Sequence, residues 1–392
     1  MQIIRRAIKR WLIAAATRLF RRANVRSESE FAKLRLRPPN RLLLANIGHL
    51  GDAVISSALL PIIKGAWPEV RIGLLVGSWS RHIFEGHPLV FSIHTFDHWA
   101  LSRSEASFAK KLWKWIETRR IAEREIRNAN YDIAVDLRCM FPNSAALLRN
   151  AKVPVRIAYD RLGIGGLLTH PIRYAEKSQH EQAYQLDLIR PLIADSKALS
   201  HCRQSIHIKS STAAKEVDAL LNSAAPRNRR YRVVHIGSGA PEREWSPANW
   251  RTLAETLIGE GHTLVFSGAG NRECGVIDRI IDGLPGCINA CHKLSWSGFL
   301  ELVREAELVY GVESLSGHLA ATFDVPSVSV YSGIGGTTRW SPVGNKAIAL
   351  TNHVPCAPCG LKHGCKEMQC VAGVTVNQVI EAGDELVGKS SH

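Results

Sequence analysis

Apolar residues in this chain gather in short runs, each closed by a polar turn and followed by a stretch with helical periodicity. RLLLAN at 41–46 is the first such run, and Gly48, Gly51 and Asp52 turn it into the helix AVISSALLPIIKGAW. Further strands are predicted at Arg71–Val76, Phe91–Phe96, Tyr131–Leu137 and Val155–Tyr159, with a long and very basic helix over Glu105–Asn128. Short runs without strict alternation suit strands covered on both faces, and their alternation with helices predicts a parallel sheet. A second series starts at Tyr231 with YRVVHIG, a helix over Pro247–Gly259, HTLVFSG, and helices over Arg272–Gly283 and Ser297–Ala306. It leads into VYGVESLSGHLAATFDVPSVSVY at 309–331, read as a strand at Leu308–Val312, a polar turn, a helix through His318–Phe323 and a strand at Ser327–Tyr331. The stretch from about 195 to 230 is rich in Ser, Ala, Asn and Arg, with one predicted strand (Ser205–Lys209) and one helix (Thr212–Asn222). The expected organisation is two Rossmann-like doubly wound domains, 41–195 and 196–373, facing a cleft. A helix at 1–30 precedes them, and a helix and tail at 374–392 pack back across them.

Length and charge refine this picture. A chain of 392 residues suits two domains. No apolar run is long enough to predict a transmembrane helix. The formal net charge is +15, and Arg5, Arg6, Lys9, Arg10, Arg18, Arg21, Arg22 and Arg26 all precede the first acid, Glu28. Ile4, Ile8, Trp11, Ala15 and Leu19 recur among them at helical spacing, the pattern of an interfacial helix on an anionic membrane. A partner-binding helix and a cleaved signal are the other readings of this segment. Nucleic-acid binding is set aside, since no recognised motif and no basic patch interleaved with aromatics is found. Cys139, Cys202, Cys274, Cys287 and Cys291 are scattered and read as reduced. Cys356, Cys359, Cys365 and Cys370 form a C-x2-C-x5-C-x4-C cluster, open to a metal site, redox-sensitive thiols or a structural loop.

Four turns at predicted strand ends carry chemistry, because ligands of open α/β sheets bind at the carboxyl ends of the strands. Gly48, Gly51 and Asp52 form the first; Asp52 suits either a helix cap or a general base. Gly237, Ser238 and Gly239 form the second, followed by Arg243, a cation suited to a diphosphate. Trp245 and Trp250 read as packing residues. Gly268, Ala269 and Gly270 precede Glu273, placed to accept from ribose hydroxyls. The fourth turn holds Glu313, Ser314, Ser316, Gly317 and His318 at a helix N-terminus, where unpaired N–H groups favour phosphate. Its bland reading is a capped helix with His318 in the core. His49 and His235 read as local hydrogen-bonding residues.

From about Arg41 to Val387 the chain resembles the ADP-heptose:lipopolysaccharide heptosyltransferases, glycosyltransferase family nine of the GT-B fold. The markers are LLLANIGHLGDAVISSALLPIIKGAWPEV, VVHIGSG with REWSPANWRTLAE, and the 309–331 stretch. The resemblance implies that Asp52 is the general base, that Arg243 stands where the family has a phosphate-binding Lys, and that the family's ribose-contacting Glu falls near Arg272 or Glu273, with Glu273 favoured. The family's Asp-(Ser/Thr)-Gly-x-x-His becomes Glu313, Ser314, Leu315, Ser316, Gly317 and His318, with the acid lengthened and the glycine displaced. It further implies inverting transfer from a nucleotide sugar, ADP-heptose, to a lipid-linked saccharide. No cofactor or metal is expected, and the implied place is bacterial, cytoplasmic and peripheral on the inner face of the plasma membrane. A sugar-nucleotide epimerase of the same fold and a non-catalytic nucleotide-sugar-binding protein are the alternatives.

Overall fold

A computed structural model describes residues 28–161, 163–193, 203–223, 230–361 and 363–388. The basic N-terminal segment and its expected anchoring role lie outside the described residues. The chain divides into two compact units between His207 and Ile208.

The first unit is a six-stranded parallel sheet in the order β3-β2-β1-β4-β5-β6. Its strands are β1 (Arg41–Asn46), β2 (Arg71–Val76), β3 (Ser92–Thr95), β4 (Ile133–Asp136), β5 (Val155–Asp160) and β6 (His170–Arg173). Strand β1 lies between β2 and β4, with Ala45 beside Leu75 and Asp136. Leu42, Leu43, Leu44 and Ala45 are buried on both faces, which is why β1 reads as a continuous apolar run and not an alternating one. The predicted helix after β1 is two, α1 (Leu50–Ser57) and α2 (Leu59–Ala66). The basic helix is α3 (Phe108–Ala129), capped by Ser107, which accepts from the Lys110 N–H.

The second unit repeats the order as β9-β8-β7-β10-β11-β12. These are β7 (Tyr231–His235), β8 (Thr263–Ser267), β9 (Cys287–Asn289), β10 (Leu308–Val312), β11 (Ser327–Val330) and β12 (Ala347–Leu350). The expected strand at Ser205–Lys209 is not one; the backbone runs without ladder partners, and the Ser205 N–H is satisfied by Ser57 Oγ at 2.9 Å. Trp245 and Trp250 are buried edge-to-face with centroids 4.9 Å apart, the packing role read for them. The last helix, Val376–Val387, packs within this unit against β11, β12 and the helix Pro247–Gly259. Gly383 permits that: a Cβ there would meet Tyr310 Oη at 2.4 Å. The Trp245 indole N–H donates to Val374 O at 3.0 Å and holds the helix entry.

One cysteine expectation is corrected. Cys274 and Cys291 are not reduced but joined in a disulfide, because the start of the helix Gly270–Ile281 and the turn after β9 bring their Cα atoms within 5.6 Å. Cys356, Cys359, Cys365 and Cys370 are free and line one cavity of about 220 Å³. No three of their sulfurs lie within 4.8 Å of one another, so they form no ready-made metal cage.

Candidate active site

Both sheets reverse strand order between their two central strands, β1 and β4 in the first unit and β7 and β10 in the second. The carboxyl ends of those four strands are where a ligand is expected.

In the first unit β1 ends at Asn46, whose side chain organises the next turn. Its amide oxygen accepts from the Gly48 N–H at 3.0 Å, and its amide nitrogen donates to Ser56 Oγ at 2.6 Å. Asp52 sits in the first turn of α1 and accepts from the His49 N–H at 2.8 Å. The cap role is therefore real, yet it occupies only one carboxylate oxygen. The other lies 3.9 Å from Arg138 Nη1, at the end of β4. Arg138 is steered by donating Nε–H to Pro142 O at 2.9 Å. Gly48 makes the pairing feasible: a Cβ there would stand 2.6 Å from Asp52 Cγ and 2.7 Å from Arg138 Nη1. Gly51 occupies the helical turn between His49 and Asp52. Gly48→Ala is expected to fold but to lose up to about 100-fold in kcat, since displacing a reacting group by about an ångström can cost that much. Steady-state transfer assays beside circular dichroism check this.

Asp136 and Arg138, which the sequence reading passed over, belong to this turn. Asp136 closes β4, fully buried, and accepts from the Ser144 N–H at 2.5 Å and the Arg138 N–H at 3.2 Å. Burial outweighs these bonds and pushes its carboxyl up to about 6. The folded state thus holds a proton that the unfolded state has released between pH about 4 and 6. Stability is greatest below that window and falls as pH rises through it, by about 3 kcal/mol. Asp136→Asn should flatten that slope, which denaturant melts at pH 4, 5 and 6 would measure.

In the second unit the turn after β7 carries Gly237, Ser238 and Gly239. Ser238 is folded onto its own loop: its hydroxyl donates to Ala240 O at 2.5 Å, and its N–H donates to Glu244 Oε1 at 3.2 Å. Gly237 lies against the Glu273 carboxylate, which a Cβ would meet at 2.2 Å. Glu273 accepts from the Ala269 N–H at 2.7 Å, and burial raises its pKa. Glu244 is gripped by Arg272 through both oxygens. The turns after β7 and β8 thereby form one acidic and basic cluster. His235, at the end of β7, shares a hydrogen bond with Ser267 Oγ at 3.0 Å, and burial brings its pKa down to about 4, so it is neutral near pH 7.

The turn after β10 joins the same edge. The Glu313 side chain is only 7% exposed; one oxygen accepts from Arg243 Nη1 at 2.7 Å and the other from Ser332 Oγ at 2.6 Å. Arg243 remains about a third exposed, so Glu313 holds the guanidinium while leaving part of it open. Ser314 is the N-cap of the helix Leu315–Thr322, and its hydroxyl lies 3.2 Å from Ser316 Oγ. Gly317 does not supply room for a ligand. It faces β11 and Pro342, where a Cβ would meet Ser329 Oγ at 2.8 Å. Ser316 and His318 are buried in the helix–sheet contact. The structure thus gathers Ser238, Glu273, Arg243, Glu313 and Ser314 at one sheet edge and turns Ser316, Gly317 and His318 inward. Ser332 and Glu244 were missed by the sequence reading, since neither stands next to a glycine turn or begins a recognisable pattern.

Comparisons with known proteins agree with this architecture. The profile described as glycosyltransferase family 9 (heptosyltransferase) matches residues 119–370, more than half of the chain. Lipopolysaccharide heptosyltransferase 1 of Pseudomonas aeruginosa is 25% identical over 331 residues, covering 83% of this chain and 87% of that protein. Among solved structures, a family 9 glycosyltransferase of Veillonella parvula superposes with a TM-score of 0.71 at 19% identity, covering 90% of this chain and 98% of the other. The ADP-heptose lipopolysaccharide heptosyltransferase II of Escherichia coli gives 0.68 at 18% identity, covering 89% and 99%.

Proposed function

Because the chain belongs to glycosyltransferase family 9, the heptosyltransferases, we propose that it moves a heptose from ADP-heptose to a lipopolysaccharide-core or other lipid-linked saccharide at the inner face of the plasma membrane. The fold is of the GT-B class and the protein is a glycosyltransferase. The names of the similar heptosyltransferases and the chemistry of the site support this donor and acceptor.

The observation that carries the reading is that Asp52 and Arg243 each stand at the switch point of their own sheet, one as a partly accessible carboxylate and one as a held cation. In the proposed step the acceptor hydroxyl gives its proton to the Asp52 carboxylate as its oxygen attacks the anomeric carbon. The bond to the diphosphate oxygen breaks on the opposite side and that oxygen keeps the electron pair, which inverts the anomeric centre. Arg243 and the unpaired N–H groups at the start of the helix Leu315–Thr322 meet the charge developing on the diphosphate. These groups serve that role without calling on a metal. Glu273 is read as the ribose contact, and Arg138 holds the Asp52 carboxylate in orientation.

The test is a thermal-shift panel of ADP-, GDP- and UDP-sugars, followed by incubation of the preferred donor with and without a lipid-linked acceptor. Stabilisation by ADP-heptose is expected, since a ligand that binds only the folded state raises Tm by mass action. Product is expected only with acceptor present. An epimerised sugar from donor alone would replace transfer by epimerisation, and binding without turnover would make the protein a nucleotide-sugar binder.

A further inference from the structure

Helix α3 and the loops beside its N-terminus carry a surface outside the turns after β1, β7, β8 and β10. Six of the large hydrophobic residues that stand exposed among the described residues cluster here: Trp99, Phe108, Trp113, Ile116, Ile121 and Phe141. Phe108 is 62% exposed and Trp113 65%, extents at which an indole or phenyl ring does little for the fold. Trp99 lies edge-on to Phe108 at 5.5 Å, and the buried His98 ring beneath stands 5.5 Å from both Trp99 and Phe141, so the three exposed rings form a ledge over it. This corrects the sequence reading, which found no basic patch interleaved with aromatics. At 3.6 residues per turn, Lys110, Trp113, Ile116, Arg120 and Arg124 fall on the solvent face of α3. Lys110, Arg120 and Arg124 are exposed and form no ion pair among the described residues. Lys114 beside them is also exposed, although it reaches Asp97 at 2.9 Å.

We infer that this face of α3, with the Trp99–Phe108–Phe141 ledge, docks the first unit on an anionic phospholipid surface. The chemistry selects that occupant. Cations alternate with apolar side chains along this face of α3, with the acid Glu117 among them, so that rings can enter the headgroup layer while Lys and Arg stems extend to the phosphates. A protein partner is less suited, since interface cores concentrate aromatics and exclude charge. The ledge also adjoins the candidate base within the same unit. Phe141 precedes Pro142, whose carbonyl accepts from Arg138, and Arg138 reaches Asp52. Docking by this face would bring a membrane-held acceptor to Asp52; that consequence rests on the proposed function, whereas the docking itself does not.

The experiment is co-sedimentation of the full-length chain with vesicles of phosphatidylglycerol and phosphatidylethanolamine, and with phosphatidylcholine vesicles as the neutral comparison. Two surface variants separate the contributions: Phe108→Ser with Trp113→Ser, and Lys110→Gln with Arg120→Gln and Arg124→Gln. Each is expected to weaken partitioning to anionic vesicles at least fivefold while Tm and nucleotide-sugar binding stay at wild-type values. Wild-type partitioning by both variants would overturn the proposal, and so would gel-shift binding of DNA or RNA by the wild type without binding to anionic vesicles. So would a loss confined to the charge variant together with competition by inorganic phosphate at constant ionic strength, which would mark a free-anion site. Equal loss on neutral vesicles would overturn the electrostatic part. Because vesicle binding needs no donor, absence of nucleotide-sugar binding in wild type would sink the proposed function and leave the docking result standing.

Discussion

Asp52→Asn is expected to lower kcat by about 10²- to 10⁴-fold, the range over which a positioned general base contributes, with donor affinity essentially unchanged. The substitution separates the two roles that the structure gives this carboxylate. Asn keeps an oxygen able to accept from the His49 N–H, so the start of α1 stays capped. What disappears is the negative charge, and with it both the capacity to take a proton and the attraction to Arg138 across 3.9 Å. A small drop in Tm is therefore expected alongside the large drop in kcat. The affinity of a nucleotide sugar, measured by titration calorimetry, should not move, since Asp52 belongs to the first unit and the donor-side groups belong to the second. More than a tenth of wild-type turnover at saturating substrates would leave Asp52 as a helix cap and place the base elsewhere, with Asp136 the next carboxylate to examine. Asp136 is a poorer candidate on geometry: it is fully buried, and both of its oxygens already accept from backbone N–H groups.

The sheets were legible in the sequence because their central strands are buried on both faces, so that RLLLAN and LVYGV announce themselves without alternation. Three of the four edge strands were not. His170–Arg173, Cys287–Asn289 and Ala347–Leu350 are short, and the last has no fully buried residue, so no apolar run marks them. The site was legible where a glycine turn followed a strand, as at Gly48 and Gly237. It was illegible where partners converge from distant positions. Nothing near Asp52 in the chain points to Arg138, and nothing near Glu313 points to Ser332 or Arg243. Only the strand order brings β4 beside β1 and β10 beside β7. Gly317 shows the converse error: a glycine at a helix start suggests space for phosphate, whereas its missing side chain serves a close approach to Ser329.

Arg243→Ala is expected to weaken nucleotide-sugar binding by about 10- to 150-fold, the equivalent of roughly 1.5–3 kcal/mol for a charge-assisted contact to a diphosphate. The same change leaves the Glu313 side chain, 7% exposed, without its cation and with the Ser332 hydroxyl at 2.6 Å, so a fall in Tm is expected as well. Stability loss alone would show only that Arg243 neutralises a buried acid, and three further variants resolve the two effects. Arg243→Lys keeps a point charge but gives up the fork that bonds Glu313 while leaving other N–H groups open, and should recover part of the affinity. Glu313→Gln keeps a hydrogen-bond acceptor for Arg243 but loosens its hold on the guanidinium, so it should weaken donor binding less than Arg243→Ala does. The double variant Arg243→Ala with Glu313→Gln removes the unpaired charge and should regain Tm without regaining affinity. Donor affinity that returns together with Tm in that double variant would reduce the pair to a structural one and move the diphosphate away from the turn after β10.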